Sequence, residues 1–300
     1  MNRRHFIGAL GAAAVLQASS GSAGTPGAMQ TRVIPASGER IPVIGMGTSG
    51  TFDVDEAPAE LAPLVEVTRL LLDARNSLID TAPSYGRAEA VVGDILQGGR
   101  WRERAFLATK ISARAGDDAR AQWQRSKTAL RTEKVDLLQV HNLVDWQQNL
   151  AFLRELKAAG QVRYVGITHY LDHSHDTLAQ IVDKEKIDFV QINLSVVARS
   201  AERRLLPLCR DRGVAVLVNR PFEDGRLFAA VKGRELPAWA GEVGCASWAQ
   251  LMLKFALGHP AVTVVIPATS KAKNMADNLS AGFGAMPDAA QRERIAALFA

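Results

Sequence analysis

Four side chains carry most of the chemistry this sequence can do: Asp80, Tyr85, Lys110 and His141. A phenol has a pKa of about 10 and is a poor proton donor at neutral pH unless something perturbs it. A neighbouring ammonium favours the phenolate and lowers that pKa. Lys110 can supply the ammonium, and Asp80 can hold it charged and in place. His141 can hydrogen-bond a carbonyl oxygen and orient it. Tyr85 can then protonate that oxygen while a hydride reaches the carbon. No nucleophile is required.

These residues need a scaffold that converges them. From Val43 onward, strand and helix patterns alternate. Strands are expected at 43–46, 78–80, 105–109, 135–140, 162–167, 189–193, 214–218 and 262–266. Helices are expected at 58–74, 88–96, 117–131, 148–159, 174–182, 201–212, 242–257 and 272–280, with a last one at 288–299. Runs such as Val-Ala-Val-Leu-Val (214–218) and Val-Thr-Val-Val-Ile (262–266) are apolar throughout, as parallel strands buried on both faces are. Eight such units predict the α/β class and a (β/α)8 TIM barrel. Thr31 to Pro42 reads as a β-hairpin before it, turning at Ser37-Gly38. The longest insertion is 221–241.

In such a barrel the C-terminal strand ends meet at one mouth. Asp80 closes the second strand, Thr109-Lys110 the third, His141 the fourth and Thr168-His169 the fifth. Gln191 and Asn193 close the sixth, and Asn219-Arg220 the seventh. Tyr85 follows Asp80 on a short loop containing Pro83 and Gly86. Phe52 and Trp146 are candidate walls of a substrate pocket, with core or surface packing an equal alternative for each.

The stretch Asp80-Thr-Ala-Pro-Ser-Tyr85-Gly, the strand-ending Lys110 and Gln139-Val-His141-Asn resemble the aldo/keto reductase superfamily. The resemblance extends over 31–300, through Gly45-Met46-Gly47-Thr48, Gly166-Ile167-Thr168-His169, Gln191 and the segment from Ile266-Pro267 to Asp277-Asn278. It implies catalysis by Asp80, Tyr85, Lys110 and His141, and a nicotinamide coenzyme lying across the mouth. By the same resemblance, Thr48 contacts coenzyme at the first strand, and Thr168, His169 and Gln191 bind the nicotinamide carboxamide. Ala268, Thr269, Ser270, Lys271, Lys273 and Asn274 match the segment for the adenosine 2′-phosphate, and Asp277 and Asn278 the adenine positions. Two lysines and two hydroxyls suit a dianion, which favours NADP (NADPH) over NAD.

The sequence departs from that pattern twice. Thr168-His169 stands where the family has Ser-Asn. Asn219-Arg220-Pro221-Phe222 stands where it has Tyr-Ser-Pro-Leu, so Asn219 offers no aromatic face to nicotinamide. Arg220 could stack through its guanidinium or reach the coenzyme pyrophosphate. The stretch His169-Tyr-Leu-Asp172-His173-Ser174-His175-Asp176 invites a metal reading, but its spacing matches no strong zinc motif. Ser174 or Asp172 also reads as a helix N-cap.

Two other functions compete with reduction of an aldehyde or ketone. One is a barrel aldolase using Lys110 as a Schiff base, although Asp80 should raise the amine pKa when that chemistry wants it lowered. The other is a non-catalytic nicotinamide-binding or redox-sensing protein on the same fold, which Asn219 favours.

The chain has 300 residues, a formal charge of +5 and a mean hydropathy of -0.02. That small, scattered excess gives no reason to expect nucleic acid. Residues 1–28 read as a twin-arginine (Tat) signal: Arg3-Arg4-His-Phe-Ile, a mild Gly/Ala-rich apolar run to Leu16, then small polar residues. That run falls short of the roughly 20 apolar residues a span needs. Residues 29–300 then form the barrel domain. The expected location is the periplasm, or the cytoplasm if the leader does not act. Expected partners are the Tat export machinery and a small carbonyl substrate, for a monomer without a membrane span in the mature chain. Cys209 and Cys245 are too few for a disulfide scaffold; they are placed on neighbouring outer helices as two buried thiols in preference to a bridge.

Overall fold

The computed structural model describes residues 27–55, 57–74, 76–114 and 118–300. The twin-arginine leader expected over 1–28 lies, but for its last two residues, outside them. So does Asp117, the expected first residue of a helix.

The expected hairpin forms first: β1 (Thr31–Val33) pairs antiparallel with β2 (Arg40–Pro42). Eight parallel strands follow, in sequence order around the sheet. They are β3 (Met46–Gly47), β4 (Ser77–Asp80), β5 (Ala105–Ile111), β6 (Val135–His141), β7 (Val162–Thr168), β8 (Phe189–Asn193), β9 (Ala215–Asn219) and β10 (Val264–Val265). The first and last strands meet through the parallel bridges Ile44↔Val265 and Gly47↔Ala268. The Gly45 N–H donates to the Val265 carbonyl, and the Val265 N–H to the Val43 carbonyl, each at 2.9 Å. The sheet therefore closes into the expected (β/α)8 barrel.

Helices cover the outside: α1 (Pro58–Leu72), α2 (Ala88–Gly99), α3 (Ala119–Ala129), α4 (Trp146–Ala158), α5 (His175–Lys184), α6 (Leu205–Arg212), α7 (Arg226–Ala230), α8 (Trp248–Leu257), α9 (Ala272–Ser280) and α10 (Ala289–Ala296). Two expected helices are shorter than their apolar patterns. Residues 200–203 and 238–243 form 3-10 turns before α6 and α8. The start of α8 instead carries a Ser247 N-cap, whose hydroxyl accepts from the Gln250 N–H. The insertion at 221–241 contains the short α7, too brief for a periodic signal.

Strand alternation explains where the polar residues lie. One buried cluster fills the barrel interior: Leu78, Phe106, Ala108, Leu137, Tyr164, Phe189, Ala215, Leu217, Val264 and Ile266, joined at the base by Ile34 and Ile41 of the hairpin. Two residues further along the same inward faces come Asp80, Lys110, Gln139 with His141, Gln191 with Asn193, and Asn219. The interior is thus apolar at its base and polar at its mouth. Phe52 is fully buried in the separate layer between strands and helices, and Trp146 packs against that layer. Cys209 lies on α6 as expected. Cys245 lies in the turn before α8 rather than on a helix. Both are buried free thiols, which burial pushes up to about 12 and about 11.

Candidate active site

A cavity of about 820 Å³ opens at the C-terminal mouth of the barrel. Asp80, Tyr85 and His141 line it, and Lys110 lies directly behind them. The Lys110 Nζ donates to Asp80 Oδ2 at 2.7 Å and to the Thr81 carbonyl at 2.8 Å. It lies 4.9 Å from the centre of the Tyr85 ring. Lys110 and Asp80 are almost wholly buried, with side chains 1% and 3% exposed. The Asp80 carboxylate also accepts from the side-chain amides of Gln139 at 3.3 Å and Gln191 at 3.2 Å. Gln139 in turn donates to Gln191 Oε1 at 2.9 Å. Three strands therefore grip the carboxylate that grips the lysine. Gln139 was not among the expected site residues, yet it lies two residues before His141 on the same inward face.

The Tyr85 loop is held from outside the barrel. Asp53 Oδ1 accepts from the Arg87 N–H at 2.9 Å, at the entry to α2. Gly86 has φ +58°, a conformation that favours glycine, and a Cβ there would lie 2.2 Å from the Asp53 carboxylate and push it from its place. Thr48 anchors the other end of this brace, its N–H and hydroxyl both reaching the Asp80 carbonyl, at 3.0 and 3.1 Å.

Burial corrects one expectation. It raises the Tyr85 phenol above its ordinary pKa, with Lys110 pulling the other way and Asp80 adding to the rise. Tyr85 is therefore fully protonated at neutral pH, which is the form a general acid needs. Burial also disfavours the Lys110 ammonium, but Asp80 and Tyr85 outweigh it and keep its pKa above the ordinary lysine value. Such an amine is a poor Schiff-base nucleophile.

Burial drives His141 down to about 3, with Lys110 and His169 adding to the fall. It is a neutral imidazole, edge-on to Tyr85 with ring centres 5.7 Å apart. His259 is likewise pushed down to about 4. Unfolded histidines take up protons near pH 6.5, so the unfolded chain binds more protons than the folded one between there and about pH 4. Stability therefore falls as pH is lowered through that window. At about 1.4 kcal/mol per pH unit, His141 alone accounts for roughly 2 kcal/mol between pH 6.5 and 5. Urea unfolding at pH 7 and pH 5 should show this loss, and His141→Gln should lessen it. Equal losses in the two proteins would exclude His141 as the cause.

Of the expected coenzyme contacts, Thr48, Thr168, Gln191, Asn219, Arg220 and Ala268 line the cavity. The Asn219 Oδ1 is buried without a hydrogen-bond partner, a polar atom that burial leaves unsatisfied. Arg220 does stack, but on protein: its guanidinium lies 5.4 Å from the centre of the Tyr170 ring and pairs with Asp224 at 2.6 Å. His169 does not line the cavity. It follows the inward Thr168 and stacks on Tyr170, with His173 edge-on. Ser270, Lys271, Lys273 and Asn274 are exposed around the start of α9, and Thr269 is buried just before it. Asn278 is buried. Asp277 is occupied within the protein, accepting from Ser247 at 2.7 Å and Gln250 at 2.6 Å. The apolar walls are Tyr170, Phe222 and Phe228, not Phe52 or Trp146. Among the described residues, no cluster of three or more His, Cys, Asp or Glu could hold a metal ion, and no helix is long and apolar enough to cross a membrane.

The model of the Aldo/keto reductase family matches residues 43–297. The chain belongs to the aldo/keto reductase family. It is 28% identical over 195 residues to an NADH-specific methylglyoxal reductase of Escherichia coli (strain K12), covering 55% of this chain and 58% of that one. It is 26% identical over 288 residues to a probable aldo-keto reductase 1 of Glycine max, covering 81% and 82%. The chain spans little more than half the length of the first bacterial relatives it matches. The aldo-keto reductase of Klebsiella pneumoniae, solved in complex with NADPH, has the same fold, with a TM-score of 0.76 at 24% identity over 91% of this chain and 95% of that one.

Proposed function

We propose that this protein reduces an aldehyde or ketone to an alcohol with NADPH as coenzyme. The observation that carries the reading is the protonated Tyr85 against the buried Lys110–Asp80 pair, at the floor of a mouth large enough for coenzyme and substrate. Bound NADPH supplies the hydride. His141 donates an N–H to the substrate carbonyl and aims its oxygen at Tyr85. Tyr85 gives its proton to that oxygen as the carbon is reduced. The charged Lys110 stabilises the phenolate left behind, and Asp80 keeps Lys110 charged.

Thr48, Thr168, Gln191, Asn219 and Arg220 border the space that nicotinamide and diphosphate need. The exposed Lys271 and Lys273, beside Thr269 and Ser270 at a helix N-terminus, suit the 2′-phosphate. The NADPH of the Klebsiella structure agrees with that choice, whereas the Escherichia coli relative is named for NADH. Fluorescence titration decides between the coenzymes. NADPH should bind at least tenfold more tightly than NADH, and Lys271→Ala,Lys273→Ala should erase most of the difference. Equal affinities in the unaltered protein would sink the NADP assignment.

Asn219 favours a second reading, a nicotinamide-binding or redox-sensing protein that does not turn over. NADPH oxidation driven by small aldehydes separates the two. The twin-arginine leader leads us to place the protein in the periplasm, delivered by the Tat machinery. Fractionation of cells carrying Arg3→Lys,Arg4→Lys should move it to the cytoplasm.

A further inference from the structure

None of the histidines in the stretch that leads into α5 lines the cavity. The structure gives it another setting. His175 is buried, and each ring nitrogen has one side-chain partner. Nδ1 lies 2.7 Å from the Ser200 hydroxyl, and Nε2 lies 2.9 Å from Asn193 Oδ1. The Asn193 amide nitrogen donates to Asp172 Oδ1. Three loop segments at the C-terminal ends of β7 and β8 thus share one hydrogen-bonded chain.

The chain has a direction. The Asp172 carboxylate only accepts, so the Asn193 NH2 must face it and the Asn193 oxygen must face His175. His175 Nε2 therefore carries the proton. Nδ1 is left with its lone pair, and the Ser200 hydroxyl donates to it. Burial holds this imidazole below its ordinary pKa, hence neutral at pH 7. Ser200, at the start of the 3-10 turn, is only partly buried. A hydroxyl, a neutral base within hydrogen-bond reach and a third group orienting that base form the signature of an activated nucleophile. An asparagine serves as orienter in some cysteine–histidine sites.

We infer that Ser200 is an acyl-accepting nucleophile, with His175 as its general base and Asn193 as the positioning residue, suited to esters with a good leaving group. The Ser200 oxygen forms a bond to the acyl carbon, and the bond from that carbon to the leaving oxygen breaks. The serine proton passes to His175 Nδ1 and from there to the leaving group or to water. Hydrolysis of the acyl-serine by water, with His175 again as base, restores the site.

The full chain incubated with 4-nitrophenyl acetate tests this. Release of 4-nitrophenolate should show a burst approaching one equivalent, and peptide mass mapping should place the acetyl group on Ser200. Ser200→Ala should abolish that burst, and His175→Gln should slow acetylation of Ser200 by roughly 100-fold or more. An unmodified Ser200, or equal bursts in the unaltered protein and Ser200→Ala, overturns the inference. So does acetylation of Ser200 at the same rate in folded His175→Gln. If His175→Gln does not fold, the Ser200→Ala comparison decides alone, because that change removes one oxygen from a partly exposed site.

Discussion

Tyr85→Phe should lower the rate of aldehyde-driven NADPH oxidation by roughly 10²–10⁴-fold while leaving NADPH affinity within about threefold of the unaltered protein. The change removes one oxygen and nothing else. The ring keeps its edge contact with His141 and its place over the Lys110 ammonium. What disappears is the phenol beside the Lys110–Asp80 pair, and with it the proton expected to reach the carbonyl oxygen. His141 cannot substitute for it, because burial holds it neutral, with a pKa of about 3, across the working range. Its N–H orients a carbonyl without readily surrendering the proton. A loss in kcat without a matching rise in coenzyme Kd is the pattern for an interaction made only in the transition state. A rate within threefold of the unaltered enzyme would show that the proton comes from elsewhere. Turnover absent even before mutation would instead support the nicotinamide-binding reading.

Lys110→Met should destabilise the fold by roughly 3–5 kcal/mol, measured by urea unfolding, besides removing activity. The Asp80 carboxylate is almost fully buried and would lose the cation that pairs with it. It would keep only the amide donors from Gln139 and Gln191, at 3.3 and 3.2 Å, which is weak compensation for a charge in such a place. The double variant Asp80→Asn,Lys110→Met should recover much of that stability, because it removes both charges together. It should remain inactive. That pairing separates two roles a single substitution confounds: the buried pair serves the reaction, and the fold tolerates its absence once no charge is left alone. A double variant no more stable than Lys110→Met would mean that the lysine's bonds to the Thr81 carbonyl and its packing matter more than charge balance.

Much of this site is legible in the sequence. Eight strand–helix units imply a closed barrel. A closed parallel barrel brings every strand's C-terminal end to one mouth, whatever the loops do. Asp80, Lys110 and His141 can therefore be gathered from strand ends 30 to 61 residues apart. Strand parity held further information. Lys110 and Thr168 point inward, so Thr109 and His169 next to them point away, and Gln139 shares the face of His141. Thr109 indeed reaches outward to Glu89, at 2.6 Å.

Other features had no signal along the chain. The cavity's aromatic walls come from Tyr170 and from an insertion without periodicity, and loop paths depend on what they pack against. Nor could spacing show that Asp172, Asn193, His175 and Ser200 form one hydrogen-bonded chain, since their meeting depends on how the loops after β7 and β8 fold over each other.

Residue types and period determined, by themselves, the barrel and the company that Asp80, Tyr85, Lys110 and His141 keep. Tertiary structure decided their protonation. From the sequence, Lys110 should draw the Tyr85 phenol down; in the folded protein, burial raises it instead. Charge partners can be inferred from neighbours in a pattern. The desolvation that outweighs them depends on how completely the surrounding chain excludes water, and only the closed, packed mouth determines that.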